Sequence, residues 1–347
     1  MLVGGFGTRL RPLTLSTPKQ MLPVAGRPMI ERVLAHLASH GIDEVVLSLG
    51  YRPDAFMGAY PDATCAGVRL RYAVEPEPLD TAGAIRFAAT EAGIDERFLV
   101  VNGDVLTDLD LGALIDFHDA AGAEGTIALT KVDDPSQFGV VPTDDDGRVE
   151  AFVEKPPPGE APTDLINAGF YVLEASVLGR IAPGVRVNIE RETFPAMVAD
   201  GTLFARPDEA YWLDVGTPER YLAASLDLLD GRRVEQLEAS DADLVAGEVI
   251  LPAALGDGVR IAEGASVARS VLGDGARVEP GARVTGSVLL PAAVIGRNAV
   301  VTDSVVGLGA VVGEEATVEG VSVLGDAAFV EAGEHLDGAR RPDADEA

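Results

Sequence analysis

Residues 1–12 of the chain read MLVGGFGTRLRP, and Pro18-Lys19 follows shortly after. The apolar pair Leu2-Val3 is typical of the end of a strand, and the glycines behind it let the backbone turn tightly and approach a ligand closely. Exposed amides in such a turn donate hydrogen bonds to phosphate oxygens. Arg9 adds a two-pronged donor and Lys19 a point charge. The stretch predicts a phosphate-binding loop that follows a strand.

Two common phosphate loops do not fit these residues. A dinucleotide fingerprint needs a glycine where Leu10 stands, and a P-loop needs Gly-Lys-Ser or Gly-Lys-Thr, which is absent. A glycine-rich turn without a ligand is the remaining alternative at this point.

The first two thirds of the chain alternate between strand-like and helix-like patterns. The apolar runs at 44–49 and 97–101 are typical of buried parallel strands. Met29, Val33 and Leu37 recur at helical spacing, and Thr217 can cap a helix that begins at Pro218. We therefore expect an α/β domain over residues 1–232, with a Rossmann-like, mostly parallel sheet.

From about residue 245 the chain repeats every 17 residues. Each repeat carries three short apolar segments separated by glycine-rich turns, which is the pattern of one triangular coil of a parallel β-helix. The aligned apolar columns are Ile261, Val278, Ile295 and Val312; Val267, Val284, Val301 and Val318; and Val271, Val288 and Val305. We expect a β-helix of hexapeptide type over 245–335 and a disordered tail over 338–347.

Composition excludes several classes of protein. The net charge is -29, so binding to nucleic acid or to an anionic membrane is not expected. No apolar run is long enough to cross a membrane, the N-terminus lacks the pattern of a signal peptide, and Cys65 is the only cysteine. These features favour a cytoplasmic protein without disulfides.

Basic and acidic residues at strand ends are the candidates for chemistry. Asp104 follows the apolar run 98–101, and Asp214 follows another strand-like run. Ligands of α/β sheets bind at such carboxyl ends, and Mg²⁺ is commonly held by one or two carboxylates. On residue pattern alone, each aspartate is more often a turn or cap residue.

A second group of candidates can bind hydroxyl groups and a phosphate. Glu154 can accept hydrogen bonds from hydroxyls, and Lys155, one of three lysines in the chain, can hold a phosphate. Asn167 lies inside the predicted strand 165–173, where its amide can bind a hydroxyl. An exposed ion pair of little consequence is the alternative for Glu154 and Lys155.

The stretch from Gly4 to Lys19 resembles the signature of the sugar nucleotidyltransferases, also called nucleoside-diphosphate-sugar pyrophosphorylases. The resemblance implies that the loop wraps a nucleoside triphosphate and that Arg9 and Lys19 stabilise the departing pyrophosphate. It also implies that Asp104 and Asp214 hold Mg²⁺, and that Gly139 contacts the sugar phosphate through its backbone. The nucleotide-binding residues implied by the resemblance are Gly4, Gly5, Gly7, Thr8, Arg9, Glu75, Asp80, Thr81 and Gly83.

Two departures from the family pattern stand out. The family commonly has glycine where this chain has Asp80, which bears on which base is bound. Fewer residues precede the glycines than in the family, which shortens the first, central strand. We therefore expect the fold to lose stability, and we expect that this sequence starts at a downstream methionine.

Residues 13–19 and 187–195 most resemble the mannose-1-phosphate guanylyltransferase branch, which carries a left-handed β-helix after its catalytic domain. This implies that GTP and mannose 1-phosphate give GDP-mannose and pyrophosphate, through in-line attack of the sugar phosphate on the α-phosphorus. The alternatives are a glucose-1-phosphate enzyme using dTTP, UTP or ATP, and a non-catalytic sensor of nucleotide sugars. An acyltransferase is disfavoured because no histidine lies in the clear coils at 258–323. The flat coil faces favour a homo-oligomer.

Overall fold

The computed structural model describes residues 1–235, 237 and 244–343. Their contacts divide the chain into two units. The first unit contains Met1–Gly5 and Val33–Trp212, and the second contains Phe6–Arg32 and the described residues from Leu213 onward. The boundary expected at residue 232 therefore does not coincide with this division, because 6–32 and 213–232 belong with the β-helix.

The strands before the β-helix are β1 Pro23–Val24, β2 Arg27–Pro28, β3 Glu44–Leu49, β4 Thr64–Cys65, β5 Val68–Val74, β6 Phe98–Val101, β7 Val105–Thr107, β8 Gly125–Lys131, β9 Gly139–Val140, β10 Val153–Glu154, β11 Leu165–Leu173, β12 Leu203–Pro207 and β13 Trp212–Asp214. The α-helices are α1 Met29–Ser39, α2 Pro53–Ala59, α3 Asp80–Ala92, α4 Leu111–Ala121, α5 Phe194–Ala199 and α6 Pro218–Leu229. Shorter 3₁₀ segments are Thr8–Leu10, Lys19–Met21, Pro135–Gln137 and Ala175–Arg180, and a π-helical turn spans Ile189–Thr193.

A mostly parallel sheet forms the centre of the first unit, as predicted. β3 runs parallel to β5, and β8 runs parallel to β12. The long strand β11 lies antiparallel to β6, β8 and β9, and the short pairs β9–β10 and β4–β5 are also antiparallel. β8 is buried from Gly125 to Thr130 and β11 from Ile166 to Leu173, although polar residues such as Thr126 and Asn167 stand among the apolar ones.

Near the N-terminus, Leu2 forms isolated bridges rather than part of a named strand. Leu2 bridges Ser48 on β3 and Asn102 after β6, in parallel register with both. Met1, residues of β3 and β6, and apolar residues of α3 line a cavity of about 600 Å³. Burial lowers the pKa of the Met1 amino group to about 5.

The second unit begins with the glycine loop and includes helix α6. Thr217 caps α6 as predicted, and its hydroxyl accepts a hydrogen bond from the Arg220 amide at 3.4 Å. The Tyr221 hydroxyl on this helix donates to the Pro23 carbonyl at 2.5 Å. These contacts connect α6 to the hairpin β1–β2.

The β-helix has three faces of stacked parallel strands, and the described residues supply six strands to each face. The first face contains Leu244–Val245, Arg260–Ile261, Arg277–Val278, Val294–Ile295, Val311–Val312 and Phe329–Val330. The second contains Glu248–Ile250, Ser266–Ala268, Arg283–Thr285, Val300–Thr302, Thr317–Glu319 and His335–Asp337. The third contains Ala254–Leu255, Val271–Leu272, Val288–Leu289, Val305–Val306, Val323–Leu324 and Arg340–Arg341.

The predicted apolar columns form the core of this β-helix. Ile261 pairs with Val278 and then Ile295, and all three side chains are buried. The final coil breaks the 17-residue period, since Val305 pairs with Val323 rather than with residue 322. Val321 has a φ of 62° at this corner, so one added residue is absorbed by a left-handed turn.

A ladder of buried serines was not predicted. The Ser287 amide donates to the Ser270 hydroxyl at 3.1 Å, and the Ser304 amide donates to the Ser287 hydroxyl at 3.1 Å. Each hydroxyl in turn donates to a carbonyl of its own coil, as Ser287 does to Thr285 at 2.8 Å. These bonds satisfy buried backbone amides at one corner of the coil.

Part of the segment expected to be a disordered tail is ordered. Arg340–Arg341 pairs with Val323–Leu324, and the Arg341 guanidinium contacts the Glu334 carboxylate at 2.6 Å. The β-helix extends this far because the exposed edge of the preceding coil accepts one more strand. Residues 344–347 of the predicted tail lie outside the described residues. None of the described helices has the length and hydrophobicity needed to cross a membrane.

Candidate active site

The glycine loop of the second unit places Lys19 beside a left-handed turn. Gly7 has a φ of 63°, and the Thr14 hydroxyl donates to its carbonyl at 2.8 Å. A methyl group on Gly7 would lie 3.0 Å from Thr14 Cγ2 and 3.2 Å from Lys19 Cβ. Glycine is therefore required here both for the backbone angle and for the close approach of Lys19. Thr8 begins the 3₁₀ turn that follows and is exposed.

Arg9 and Asp214 both lie close to Gly216 in the second unit. A methyl group on Gly216 would lie 2.8 Å from Arg9 Nη2 and 3.1 Å from Asp214 Oδ1. The Arg220 guanidinium contacts the other oxygen of Asp214 at 3.3 Å. One arginine, Arg220, thus contacts a predicted metal ligand, and Arg9 approaches the neighbouring glycine. Arg220 was missed because its only signal is its place in the first turn of α6 after the Thr217 cap.

In the first unit, Gly4 lies close to Glu75. A methyl group on Gly4 would lie 3.3 Å from Glu75 Oε1, whereas one on Gly5 would meet nothing within 4 Å. Glu75 accepts hydrogen bonds from the Ser48 hydroxyl at 3.1 Å and from the Leu79 amide at 3.1 Å. The Glu75 carboxylate therefore braces the turn that leads into α3.

Asp80 and Thr81 fasten the start of α3 to the segment at 186–189. Asp80 has a φ of 60°, and its Oδ1 accepts hydrogen bonds from the Thr81 amide at 2.8 Å and from Asn188 Nδ2 at 3.0 Å. The Thr81 hydroxyl accepts from the Ile189 amide at 2.9 Å. Asp80 thus adopts the backbone angle that glycine would adopt, and its carboxylate holds a neighbouring segment.

Gly83 allows that segment to approach the helix. A methyl group on Gly83 would lie 2.7 Å from the Val185 carbonyl oxygen. The Gly83 amide itself donates to the Val187 carbonyl at 3.2 Å. A larger residue would force α3 away from 185–187.

Asn167 lies at a β-bulge in β11. The register between β11 and β8 shifts between Asn167 and Tyr171. Asn167 Oδ1 accepts from the Gly169 amide at 2.9 Å, and its Nδ2 donates to the Tyr171 hydroxyl and to Glu190 Oε1, both at 2.9 Å. Bulges re-aim side chains at functional sites, and this one turns a buried amide toward polar groups.

Glu154 and Lys155 lie at the end of β10, opposite Gly139 on β9. Lys155 Nζ is 3.6 Å from Glu154 Oε1. A methyl group on Gly139 would lie 2.6 Å from the Phe152 ring and 3.3 Å from Glu154 Oε2. The small residue at 139 therefore lets Glu154 lie over the strand backbone.

Glu190 is an acidic residue that sequence reasoning gave no role. Burial, followed by the charge of Glu154, raises the pKa of Glu190 from its ordinary value of 4.5 to about 7. Burial and the charges of Glu190, Glu154 and Asp104 also raise the pKa of the buried Tyr171 hydroxyl. These side chains therefore share one electrostatic environment in the first unit. A signal for Glu190 existed, because it lies in the resemblance at 187–195.

Asp104 occupies the turn between β6 and β7 and is partly buried. Its neighbour Gly103 packs tightly, since a methyl group there would lie 2.5 Å from Val3 Cγ1. No group of three or more acidic, histidine or cysteine side chains that could hold a metal occurs among the residues that the structure describes. A metal held here would therefore take part of its coordination from other ligands.

The chain belongs to the nucleotidyl transferase family, because the family model matches residues 1–231. A second model, the GMPPB C-terminal domain, matches residues 249–340. Both matches follow the α/β and β-helix parts of the fold in order.

Among curated proteins, the chain is similar to mannose-1-phosphate guanylyltransferases. It is 44% identical over 262 residues to the protein of Mycobacterium tuberculosis. The matched region covers 72% of each chain. It is 41% identical over 261 residues to that of Schizosaccharomyces pombe, covering 73% of this chain and 71% of the relative. For the protein of Hypocrea jecorina the identity is 43% over 231 residues, and the chain spans 62% of that relative.

Solved structures share the fold. HddC from Yersinia pseudotuberculosis matches with a TM-score of 0.57 and 30% identity, over 65% of this chain and 96% of HddC. HddC complexed with GMP-PN matches with a TM-score of 0.56 and 30% identity, over the same shares of the two chains.

Proposed function

We propose that this chain transfers a guanylyl group from GTP to mannose 1-phosphate, giving GDP-mannose and pyrophosphate. The observation that carries the proposal is the similarity to mannose-1-phosphate guanylyltransferases across both the α/β part and the start of the β-helix. The candidate side chains support it: Arg9 and Lys19 in the second unit suit phosphates, and Glu154, Lys155 and Asn167 in the first suit a sugar phosphate. A phosphate oxygen of mannose 1-phosphate attacks the α-phosphorus, and the bond from that phosphorus to the bridging oxygen of pyrophosphate breaks.

Arg9 and Lys19 would neutralise the negative charge on the leaving pyrophosphate. Both belong to the glycine loop of the second unit, where Gly7 allows Lys19 to approach the turn. The nucleophile is already an anion, so the reaction needs positioning and charge neutralisation more than a general base.

The sugar phosphate would bind to the first unit. Lys155 supplies the charge for its phosphate, Gly139 a backbone amide, and Glu154 and Asn167 hydrogen bonds to hydroxyls. Asn167 is only 8% exposed, and its hydrogen bonds with Gly169 and Tyr171 hold its amide in one orientation. A held amide discriminates between hydroxyl positions better than a mobile one.

Asp104 and Asp214 would hold Mg²⁺. Two carboxylates suit this ion, which keeps several waters and takes other oxygens from phosphates, and no larger cluster of metal ligands competes within the described residues. When bound, the ion neutralises charge on the reacting phosphates. The Arg220 guanidinium, 3.3 Å from Asp214 Oδ2, would orient that carboxylate.

The base of the nucleotide would bind at the turn into α3. Glu75, Asp80 and Thr81 are bonded to protein groups, so their proposed role is to shape the turn that presents the backbone to guanine. We further propose that the β-helix mediates assembly into a homo-oligomer.

The test is a grid of pyrophosphate-release assays with Mg²⁺, with GTP, ATP, UTP and dTTP each paired with mannose 1-phosphate and glucose 1-phosphate. We expect a peak at GTP with mannose 1-phosphate. A peak elsewhere would overturn the substrate assignment, and silence across the grid would favour a non-catalytic sensor of nucleotide sugars.

A matched pair of lysine variants tests the role of the loop. Lys19→Ala should lose activity by at least about 100-fold, because it removes a charge from the leaving group. Lys131→Ala should retain activity, because Lys131 is exposed and pairs with Asp164 at 2.8 Å. Equal effects in the two variants would argue against a catalytic role for Lys19.

A further inference from the structure

Glu190 projects from the π-helical turn at 189–193, and its backbone is held independently of its side chain. Asn188 Oδ1 accepts hydrogen bonds from the Glu190 amide at 3.0 Å and from the Arg191 amide at 2.9 Å. Asn188 is itself held by Asp80 at 3.0 Å. The start of the turn is thus capped without help from the Glu190 carboxylate, and that carboxylate is available for another purpose.

The carboxylate of Glu190 has few protein partners for its degree of burial. Among the described residues, Asn167 Nδ2 is the one hydrogen-bond donor to it, and the bond reaches Oε1. An ionised carboxylate can accept about four hydrogen bonds. Glu190 is partly buried, and its Oε2 has no donor among the described residues, so this oxygen can accept a hydrogen bond from a ligand.

The charged groups around Glu190 favour a ligand with several hydroxyls. Glu154 and Asp80 are acidic and raise the pKa of Glu190, whereas Lys155 lowers it. Two acidic side chains and a single lysine act on Glu190, so the protein itself does not balance the charge around this carboxylate. A sugar 1-phosphate matches them, since its hydroxyls donate to carboxylates and its phosphate accepts from lysine.

We propose that Glu190 is a sugar-binding residue whose carboxylate accepts a hydrogen bond from one ring hydroxyl of the sugar 1-phosphate. The inference rests on the proposed function and adds a residue to its sugar site. Asn167 bonds to Glu190, so the two side chains form one recognition unit. Such a unit penalises a sugar that lacks the bonded hydroxyl, because the hydrogen bond to the carboxylate is then lost.

The test compares Glu190→Gln and Glu190→Ala with the wild type at pH 8. The KM for mannose 1-phosphate should rise about tenfold in Glu190→Gln and further in Glu190→Ala, while the KM for GTP changes less than about twofold. Glu192→Gln is the matched control, because Glu192 lies on the same turn but is exposed. An unchanged KM for the sugar, or an equal rise for both substrates, would overturn the proposal.

Monodeoxy analogues of mannose 1-phosphate identify the hydroxyl. In the wild type, one analogue should bind at least about tenfold more weakly than the parent sugar, and in Glu190→Ala that analogue and the parent should bind equally. If every analogue keeps its full penalty in the variant, Glu190 does not contact the sugar.

Calorimetry with GTP and with GDP-mannose separates misfolding from lost recognition. Glu190→Gln should bind GTP as the wild type does and bind GDP-mannose more weakly. Failure of the wild type itself to make or bind GDP-mannose would count against the proposed function, whereas a functional wild type with unaffected Glu190 variants would count against this inference alone.

Discussion

At the scale of single residues, a few residues adopt a backbone conformation or a charge state that costs free energy, and that cost can be measured. Asp80 has a left-handed backbone angle, and Glu190 carries a carboxyl group with a raised pKa. Such strain and unfavourable burial tend to concentrate at binding sites, where a ligand or a neighbouring segment compensates. Both residues lie at the proposed nucleotide and sugar sites.

Glu190 should make stability depend on pH. Its carboxyl pKa is about 7 in the folded chain and 4.5 ordinarily, so folding favours the protonated form. The resulting destabilisation is absent below pH 4.5, grows as pH rises, and is complete above pH 7. Glu190→Gln should therefore raise the free energy of unfolding by about 2 to 3 kcal/mol at pH 8 relative to wild type. Urea denaturation at pH 5 and pH 8 measures this; a difference that does not grow with pH would contradict it.

Asp80 allows a comparison of two substitutions. Asp80→Gly and Asp80→Ala both lose the hydrogen bonds to Asn188 and Thr81, but only alanine keeps a Cβ at a φ of 60°. The glycine variant should be more stable than the alanine variant by about 1 kcal/mol. Guanidinium denaturation of the pair provides the measurement, and equal stabilities would mean that the backbone abandons this angle.

At the scale of secondary structure, the bulge in β11 is the feature that shapes the proposed sugar site. Gly169 has a φ of 78°, and its amide donates to Asn167. The Trp212 indole nitrogen donates to the Ala168 carbonyl at 2.9 Å and so holds the bulge from the other side. The strand therefore bends at one defined residue instead of along its length.

Gly169→Ala should be strongly destabilising. The added methyl group would lie 2.7 Å from Asn102 Nδ2, in addition to the cost of the backbone angle. We expect a loss of roughly 2 to 4 kcal/mol. Gly159→Ala is the control: Gly159 has a φ of 80° but no neighbour within 4 Å, so its loss should be about 1 kcal/mol. Thermal melts of the two variants compare them, and equal losses would show that Asn102 moves aside.

At the scale of the whole molecule, the large negative net charge is the property that bears most on stability. The chain carries 56 acidic and 27 basic residues, a net charge of -29. Repulsion among surface carboxylates opposes the compact state, and salt screens it.

Stability should therefore rise with ionic strength. We expect the melting temperature to increase by several degrees between about 0.02 and 0.3 M NaCl and then to level off, because the Debye length has by then become short compared with the spacing of the charges. Differential scanning fluorimetry across a salt series measures the curve. A melting temperature that is flat at low salt would indicate that the acidic residues are already neutralised by local pairing.

Local pattern was sufficient to predict many elements of the fold. Strand β3 at 44–49, the helix that begins at Met29, the cap at Thr217 and the aligned columns of the β-helix follow from periodicity and from residues with narrow conformational preferences. The 17-residue repeat was visible because each coil buries the same positions against the next. The last coil departs from this period because it contains one inserted residue. The insertion lies at a corner, so the apolar columns stay in register.

The partners of side chains depended on residues far apart in sequence, and only the tertiary structure decided them. Asp80 bonds to Asn188, Asn167 bonds to Glu190, and the bulge in β11 arises from its pairing with β8. The candidate residues themselves were chosen from sequence, and their roles remain predictions. By itself, the sequence determined the class of fold, the family signature and the residue types available for phosphate and sugar. Tertiary structure decided which of those side chains are held by the protein and which acceptor lacks a donor, because burial and long-range contacts are set by packing.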